Sequence, residues 1–430
     1  MVPAARPSRT LPAPWWAVLT LPFGLTVGFA TVAVPFVLRK RGFDMTVIAT
    51  VSQVAQIPHV VKLLWSPALD SGPRRRTWYF ASVGATAFCL ALAALVPPSL
   101  DHRVAGVPLL WIYAAVLFGA QAAVATSGSA VLALMAVTVA DSRRGAAAGW
   151  QTAGNLAGTA AGGALVAWML EHLSPTMAAL ALAVFCAVAA VPAAFVDEPP
   201  LARRSAVALL ARLAREIWAT LRSPEGWTGL LICVSPVGAG ALTNLFSALA
   251  PEYAPDTASA ERLVFIVTGV LGGIVNAAGA LLGGYVADRM NRRLAYVLFG
   301  AVTAFCALGM IAFSATPRVF TLGTLAYQFA NGLCYAAFYA FVVELLGYRD
   351  GVTTQLALYV GASNFAITYV TWLDGYSYDR ARAAFPGVPW AGRSAMLAMD
   401  ALSTFVGIAL LWFMMIRVRR LRARRIEASG

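Results

Sequence analysis

Residues 263–313 read LVFIVTGVLGGIVNAAGALLGGYVADRMNRRLAYVLFGAVTAFCALGMIAF. Two apolar runs, 263–287 and 294–313, flank a short polar loop that holds Asp288, Arg289, Arg292 and Arg293. Each run has the length of a bilayer-crossing helix, about 20 residues at about 1.5 Å each. A barrel strand would alternate polar and apolar positions over about ten residues, and neither run alternates. Hydropathy outward from this pair predicts ten further spans: 15–38, 45–66, 77–96, 109–139, 146–169, 176–196, 227–250, 320–343, 353–373 and 394–416. The fourth is long enough to tilt. Trp15, Trp16, Trp65, Trp78, Trp111, Trp227 and Trp412 lie near span ends, where an indole straddles the interface.

Composition leads to the same class. Of 430 residues, 60% are hydrophobic and only 12% charged, with a mean hydropathy of +0.73. A soluble chain carries roughly a quarter charged residues, and a larger core does not explain the deficit because soluble cores stop growing near this length. The net charge of +13 does not point to nucleic acid, because all basic residues but Lys62 lie outside the spans, as orientation in a bilayer requires. Cys89, Cys186, Cys233, Cys306 and Cys334 fall inside spans without metal-ligand spacing and read as small packing residues. No metal or cofactor is expected. Arg6 and Arg9 precede the apolar run 15–38, which is too long for a signal-peptide core and reads as the first helix.

With the N-terminus inside, 22 Lys and Arg residues face the cytoplasm and nine face outward. This bias predicts cytoplasmic termini; Arg39, Lys40 and Arg41 run against it. Segment 197–226 divides the spans six and six, so the expected organisation is a bundle over 1–196, a linker over 197–226 and a bundle over 227–430. Leu209, Leu210, Leu213, Ile217 and Leu221 alternate around the turn with Arg212, Arg215 and Arg222. That pattern predicts an amphipathic helix on the anionic inner leaflet; docking of a partner is the other reading.

The halves repeat. Pro22-Phe-Gly24 recurs as Pro236-Val-Gly238, Thr86-Ala-Phe-Cys89 as Thr303-Ala-Phe-Cys306, and Asp70 with Arg74 and Arg75 as Asp288 with Arg292 and Arg293. Three matches in register at nearly one offset point to a duplicated six-helix unit.

The strongest local motif is Gly284-Tyr-Val-Ala-Asp288-Arg289-Met-Asn-Arg292-Arg293, with a degraded partner at Asp70, Arg74, Arg75 and Arg76. An aspartate at a helix C-terminus opposes the dipole and is expected to have cationic partners. The alternative, arginines that only fix topology, leaves the paired aspartates unexplained. Both stretches resemble the loop motif of the major facilitator superfamily. That resemblance implies a glycine at a close helix contact and an acid–base cluster that makes and breaks during gating. Lys62-Leu-Leu-Trp65-Ser66-Pro67-Ala-Leu-Asp70, with Arg144-Gly145 opening the fifth span, is similar to AmpG-type muropeptide permeases, relatives of acetyl-coenzyme A transporters and some siderophore importers. It implies import of a bulky polar solute driven by the proton gradient. The second half has no such motif. The fifth span carries a glycine ridge, Gly154, Gly158, Gly162 and Gly163, similar to that of drug-exporting antiporters but without their proline.

Polar residues inside spans are candidates for a solute cavity, because lipid tolerates them poorly. They are Gln56, His59 and Lys62 in the second span, Asn155 in the fifth, Asn244 in the seventh and Asn276 in the eighth. The tenth adds Gln328, Asn331, Tyr335 and Tyr339 on one face, and the eleventh adds Asn364. The alternative is hydrogen-bonded glue between helices. For Lys62 the alternatives are snorkelling, a structural ion pair, or binding of an anionic solute. His59 is a candidate titrating group. Asp400 and Glu344 lie toward span ends, so no proton-coupling acid is legible at mid-span.

The expected protein is therefore an all-α membrane protein. It has twelve transmembrane helices in two pseudo-symmetric six-helix bundles, sits in the bacterial inner membrane as a monomer, and moves a small-molecule solute by alternating access. Drug–proton antiport is the alternative direction. A membrane-embedded enzyme or sensor is the other class; His59, His102 and His172 are too dispersed for a catalytic cluster.

Overall fold

The computed structural model describes residues 11–70, 73–140, 143–198, 205–346 and 352–427. Thirteen main helices follow the order of the spans. They are α1 (Ala13–Lys40), α2 (Met45–Leu64), α3 (Arg75–Leu95), α4 (Leu109–Thr138), α5 (Arg144–His172), α6 (Pro175–Phe195) and α7 (Ala206–Arg222). After these come α8 (Pro224–Val234), α9 (Thr257–Ala287), α10 (Arg292–Ala312), α11 (Pro317–Leu346), α12 (Val352–Ala384) and α13 (Ala391–Glu427). A two-residue hairpin, β1 (Arg103–Val104) with β2 (Val107–Pro108), joins α3 to α4. Its turn places Ala105 at φ 51° and Gly106 at φ 81°, the left-handed pair that such a turn requires.

Helix ends follow local chemistry. The Ser174 hydroxyl accepts from the Met177 N–H at the start of α6, and Asn291 Oδ1 accepts from the Arg293 and Leu294 N–H groups at the start of α10. Asp256 does the same for α9 through the Ser259 N–H, a bond that holds its carboxyl below the usual range. Both α1 and α9 contain π-helical stretches, Phe29–Ala33 and Leu263–Leu271.

Among the described residues nine helices are long and apolar enough to cross a membrane. The remaining spans are the glycine-rich α5, the α11 helix whose amides and tyrosines lower its hydropathy, and the region of α8. There the expectation of one continuous helix over 227–250 fails. Pro236 supplies no N–H, and Gly238 and Gly240 take φ of 54° and 69°, so the chain leaves the helix after Val234. It resumes only in the short turns Ala241–Asn244 and Phe246–Leu249. Helix α12 in turn runs to Ala384, eleven residues past the expected end at 373.

Packing divides the chain into two compact units, residues 1–213 with 244–274, and residues 214–243 with 275–430. In the first, the glycine ridge of α5 lies against α1. A Cβ on Gly158 would stand 3.0 Å from the Gly24 Cα, and one on Gly162 would stand 2.6 Å from the Leu25 Cα. The other side of the ridge meets the start of α9, where a Cβ on Gly269 would stand 2.8 Å from the Ala164 Cβ. Small residues allow these backbones to touch where lipid offers no hydrophobic drive between helices. Residues 252 and 261 also tie this unit together: Arg39 Nη2 meets Glu252 Oε1 at 3.1 Å, and Lys40 Nζ meets Glu261 Oε1 at 3.1 Å. Arg41 Nη1 donates to the Pro98 carbonyl at 3.2 Å.

The second unit is organised around a buried cluster that includes Tyr296, Cys334, Phe338 and Phe341. The duplication inferred from sequence reappears as a similar contact, shifted by one residue at the acceptor. Tyr79 donates to the Leu19 carbonyl at 2.9 Å, and Tyr296, 217 positions later, donates to the Val237 carbonyl at 3.0 Å.

Candidate functional site

The loop between α9 and α10 carries the motif residues. Asp288 Oδ1 receives Arg292 Nη2 at 3.5 Å in an exposed i,i+4 pair. The Arg289 guanidinium sits 3.4 Å over the Tyr285 ring, and that of Arg293 lies 5.6 Å from the Phe341 ring. The close helix contact falls on Gly283, not Gly284: a Cβ on Gly283 would stand 2.6 Å from the Leu333 Cα, whereas one on Gly284 would meet nothing within 4 Å.

In the first half, Arg74 is exposed at the N-cap of α3 and the Asp70 side chain lies outside the described residues. The acid that organises this end is one the sequence did not single out. Glu198 Oε1 accepts from the Arg75 N–H at 2.9 Å and Oε2 from the Arg76 N–H at 3.2 Å, while Arg75 Nη1 stands 3.6 Å from Oε1. A carboxylate on the first N–H groups of a helix meets both orphan donors and the positive end of its dipole.

The polar residues inside the spans assemble into one cluster per unit. In the first unit Gln121 of α4 donates its Nε2 to the Thr26 carbonyl of α1 at 2.8 Å. Its Oε1 therefore faces His59 of α2, 2.8 Å from the ring Nε2, which must carry the proton. Phe23 packs edge-on against His59 with ring centroids 5.6 Å apart. In the second unit Asn276 of α9 donates Nδ2 to the Gln328 carbonyl at 3.1 Å, to Gln328 Oε1 at 3.2 Å and to Asn331 Oδ1 at 3.1 Å. Thr243 Oγ1 stands 3.5 Å from the same Gln328 oxygen, and Asn331 Nδ2 donates to the Gly238 carbonyl at 3.4 Å.

These clusters are equivalents. Thr26 and Thr243 are 217 positions apart, as are His59 and Asn276. Gln121 and Gln328 are 207 apart because the α3–α4 connection, with its hairpin, is longer than the α10–α11 connection. In both, a glutamine oxygen accepts from an imidazole or amide nitrogen, but the threonines differ in role: Thr26 offers its backbone carbonyl and Thr243, in the break, its hydroxyl. Gln121 and Thr243 carried no distinctive sequence signal alone.

The remaining candidates stand apart from these hydrogen bonds. Tyr335 and Tyr339 pack with ring centroids 5.3 Å apart, Tyr335 partly exposed. Lys62 and Gln56 are half-buried on α2, Lys62 in a 3-10 turn whose first carbonyl accepts from Ser66 Oγ at 2.8 Å. Asn155 accepts from Thr159 Oγ1 through its carbonyl at 2.9 Å. Asn244 is buried and Asn364 half-buried. Among the described residues no three His, Cys, Asp or Glu side chains are grouped to hold a metal.

A family profile described as Major Facilitator Superfamily matches residues 16–371. The chain belongs to the Major Facilitator Superfamily, and it is a multi-pass membrane transporter, not an enzyme. Among solved structures it is similar to the nucleoside transporter NupG as a point variant, with 14% identity, TM-score 0.70, and 93% of this chain and 98% of that one covered. It is similar to a D-xylose–proton symporter, with 15% identity, TM-score 0.62, and coverage of 90% and 96%. A bacterial homologue of the human lysosomal transporter Spinster, in an inward-facing unoccupied state, matches at 13% identity and TM-score 0.64, with coverage of 94% and 95%. At such identities the likeness is one of fold.

Proposed function

We propose that this chain imports a bulky polar organic solute across the bacterial inner membrane by alternating access, driven by the proton gradient, with both termini cytoplasmic. The supporting observation is the pair of equivalent polar clusters, His59–Gln121–Thr26 and Asn276–Gln328–Thr243. Polar groups so deep in an apolar chain are costly unless they serve a cavity or one another, and each half carries such a set. The amides and tyrosines of α11 suit a solute rich in hydroxyl and amide groups, and the half-buried Lys62 suits one with an anionic portion. Muropeptide-, acyl-coenzyme A- and siderophore-like solutes meet that description. Two of the structural neighbours carry polar cargo by name, a nucleoside and D-xylose.

The loop residues supply the gate in this reading. Asp288 with Arg292, and Asp70 with the Arg74–Arg76 run and Glu198, hold the cytoplasmic ends of the helices in one state and release them in the other. Helix α7 leaves Val207, Leu210 and Trp218 exposed, an apolar face suited to the inner leaflet beside its arginines.

A counterflow screen in proteoliposomes, using muropeptides, coenzyme A thioesters, siderophores and cationic drugs, tests the reading. Exchange of one anionic or neutral polar class supports it. Exchange of cationic drugs alone would replace it with the antiporter reading.

A further inference from the structure

Three side chains from different helices of the second unit meet at a depth where the sequence shows no acid cluster. Tyr327 of α11 donates its hydroxyl to the Asp400 carboxylate of α13, at 3.1 Å from each oxygen. Asp374 of α12 is near enough to Asp400 for the two carboxyls to interact. All three are buried: Asp374 and Tyr327 are 0% exposed and Asp400 is 2% exposed. Each lies nine or ten residues from the nearer end of its helix. At about 1.5 Å per residue each therefore lies about 15 Å along its helix from that end.

Two independent observations mark this place as more than two acids side by side. Neither oxygen of Asp374 has a hydrogen-bond partner, and one turn before Tyr327 the Thr324 hydroxyl is also buried and without a partner. The cluster also adjoins the interruption of the seventh span. Thr371, one turn before Asp374, reaches the Ala241 carbonyl with its Oγ1 at 3.4 Å. Ala241 directly follows Gly240, one of the two glycines with positive φ. Irregular backbone is tolerated inside a bilayer where it is buried in protein or lines a cavity, and unwound segments commonly hold a transported ion.

We infer that Asp374, Asp400 and Tyr327, at the break in the seventh span, form the binding site of the coupling proton. This inference rests on the proton-driven reading above and gives that reading its site. Both oxygens of Asp400 accept from the Tyr327 hydroxyl. Asp374 has no such donor. A carboxylate left unpaired in a dry interior is expensive, and a proton on Asp374 removes that charge and creates an O–H donor without moving a helix. Loss of the proton leaves two negative charges together, a state that favours a rearranged α12–α13 contact.

Residues 235–249, at the break, contain no titratable side chain, whereas α10, which packs against α11 and α13, carries Cys306. Arg393 lies two turns before Asp400 on the same face of α13 and is 9% exposed. Tyr378 and Asp379 stand one turn beyond Asp374 on α12.

The test combines a substrate-independent measurement with a transport measurement. Infrared pH titration of the purified wild type should show the carbonyl band of a buried protonated carboxylic acid, and Asp374→Asn should remove it. Absence of the band, or its persistence in Asp374→Asn, overturns the assignment whether or not a solute is known. In proteoliposomes, Asp374→Asn and Asp400→Asn should lose about tenfold or more of the accumulation driven by a pH gradient and keep solute counterflow within about threefold. Tyr327→Phe should shift the pH dependence of accumulation without abolishing it. Retained pH-driven accumulation in the aspartate variants overturns the site. So does counterflow lost together with accumulation, which marks the cluster as structural. Accumulation driven by a sodium gradient at fixed pH, and lost in the same variants, overturns the proton. Wild type that exchanges no solute but shows the band would defeat the transport reading and leave the proton site standing.

Discussion

Replacing Glu252 with Gln removes the charge that faces Arg39 across the ends of α1 and the segment preceding α9. The two groups stand 3.1 Å apart with side chains 15% and 17% exposed. At an effective dielectric constant near 20, charges at that distance attract by about 5 kcal/mol, of which desolvation cancels a large part. Removing one partner of a mostly buried pair is costly, and we take about 2 kcal/mol as the net cost. Lys40 and Glu261 are also 3.1 Å apart, but they are 40% and 23% exposed, so Glu261→Gln should cost under about 1 kcal/mol. A loss of 2 kcal/mol is roughly a thirtyfold shift in the equilibrium that the pair restrains. The assay is labelling of a cysteine at Ser247, which is fully buried, by a membrane-impermeant thiol reagent, in a background lacking the native cysteines. Glu252→Gln should raise the labelling rate by an order of magnitude or more, Glu261→Gln by no more than about threefold, and Glu252→Gln with Arg39→Gln together by less than the single change. Equal, small effects in both glutamate variants would refute the reasoning from burial.

Other outcomes follow from the same packing. Gly24→Ala should lower thermal stability by about 2–3 kcal/mol, because its Cβ would stand 2.6 Å from the Gly158 Cα; an unchanged melting temperature in detergent would show that α1 and α5 separate easily. Glu198→Gln keeps the shape but loses the charge on the α3 N-terminus, and should cost about 1–2 kcal/mol in thermal unfolding and slow uptake. Asp288→Asn touches only an exposed i,i+4 pair, so it should change stability by less than about 0.5 kcal/mol while slowing transport at near-normal expression; unchanged uptake would remove it from the gate.

The spans were legible because lipid imposes one requirement, an apolar run long enough to cross with its backbone bonds satisfied internally. That requirement does not locate interruptions. The seventh span is apolar throughout, so hydropathy passes over Pro236, Gly238 and Gly240, although the backbone cannot remain helical there. It also ends α12 at residue 373, just before the polar Asp374, and so moves out of the span a residue that the fold buries completely. The duplication was visible in the Pro-x-Gly and Asp/Arg matches, but not the parallel between Gln121 and Gln328, because the unequal connections displace their offset by ten. Glu198 read as the polar start of a linker, since only tertiary contact brings it to Arg75 and Arg76. The basic run at Arg39, Lys40 and Arg41, at odds with charge orientation, has a reason in the fold: Glu252, Glu261 and the Pro98 carbonyl receive it.

The central claim is that the two equivalent polar clusters contact the solute. It is tested most directly by the half-saturation concentration for counterflow in Gln121→Ala and Gln328→Ala, alone and together, with thermal stability measured on the same preparations. Loss of one solute hydrogen bond, leaving its partner unsatisfied, is worth about 1–2 kcal/mol. Each single variant should therefore raise half-saturation by roughly five- to thirtyfold, and the double variant by close to the product. In addition, solute should stabilise the variants less than it stabilises the wild type. Unchanged half-saturation in both single variants, with stability lowered instead, would contradict the account and leave the glutamines as glue between helices.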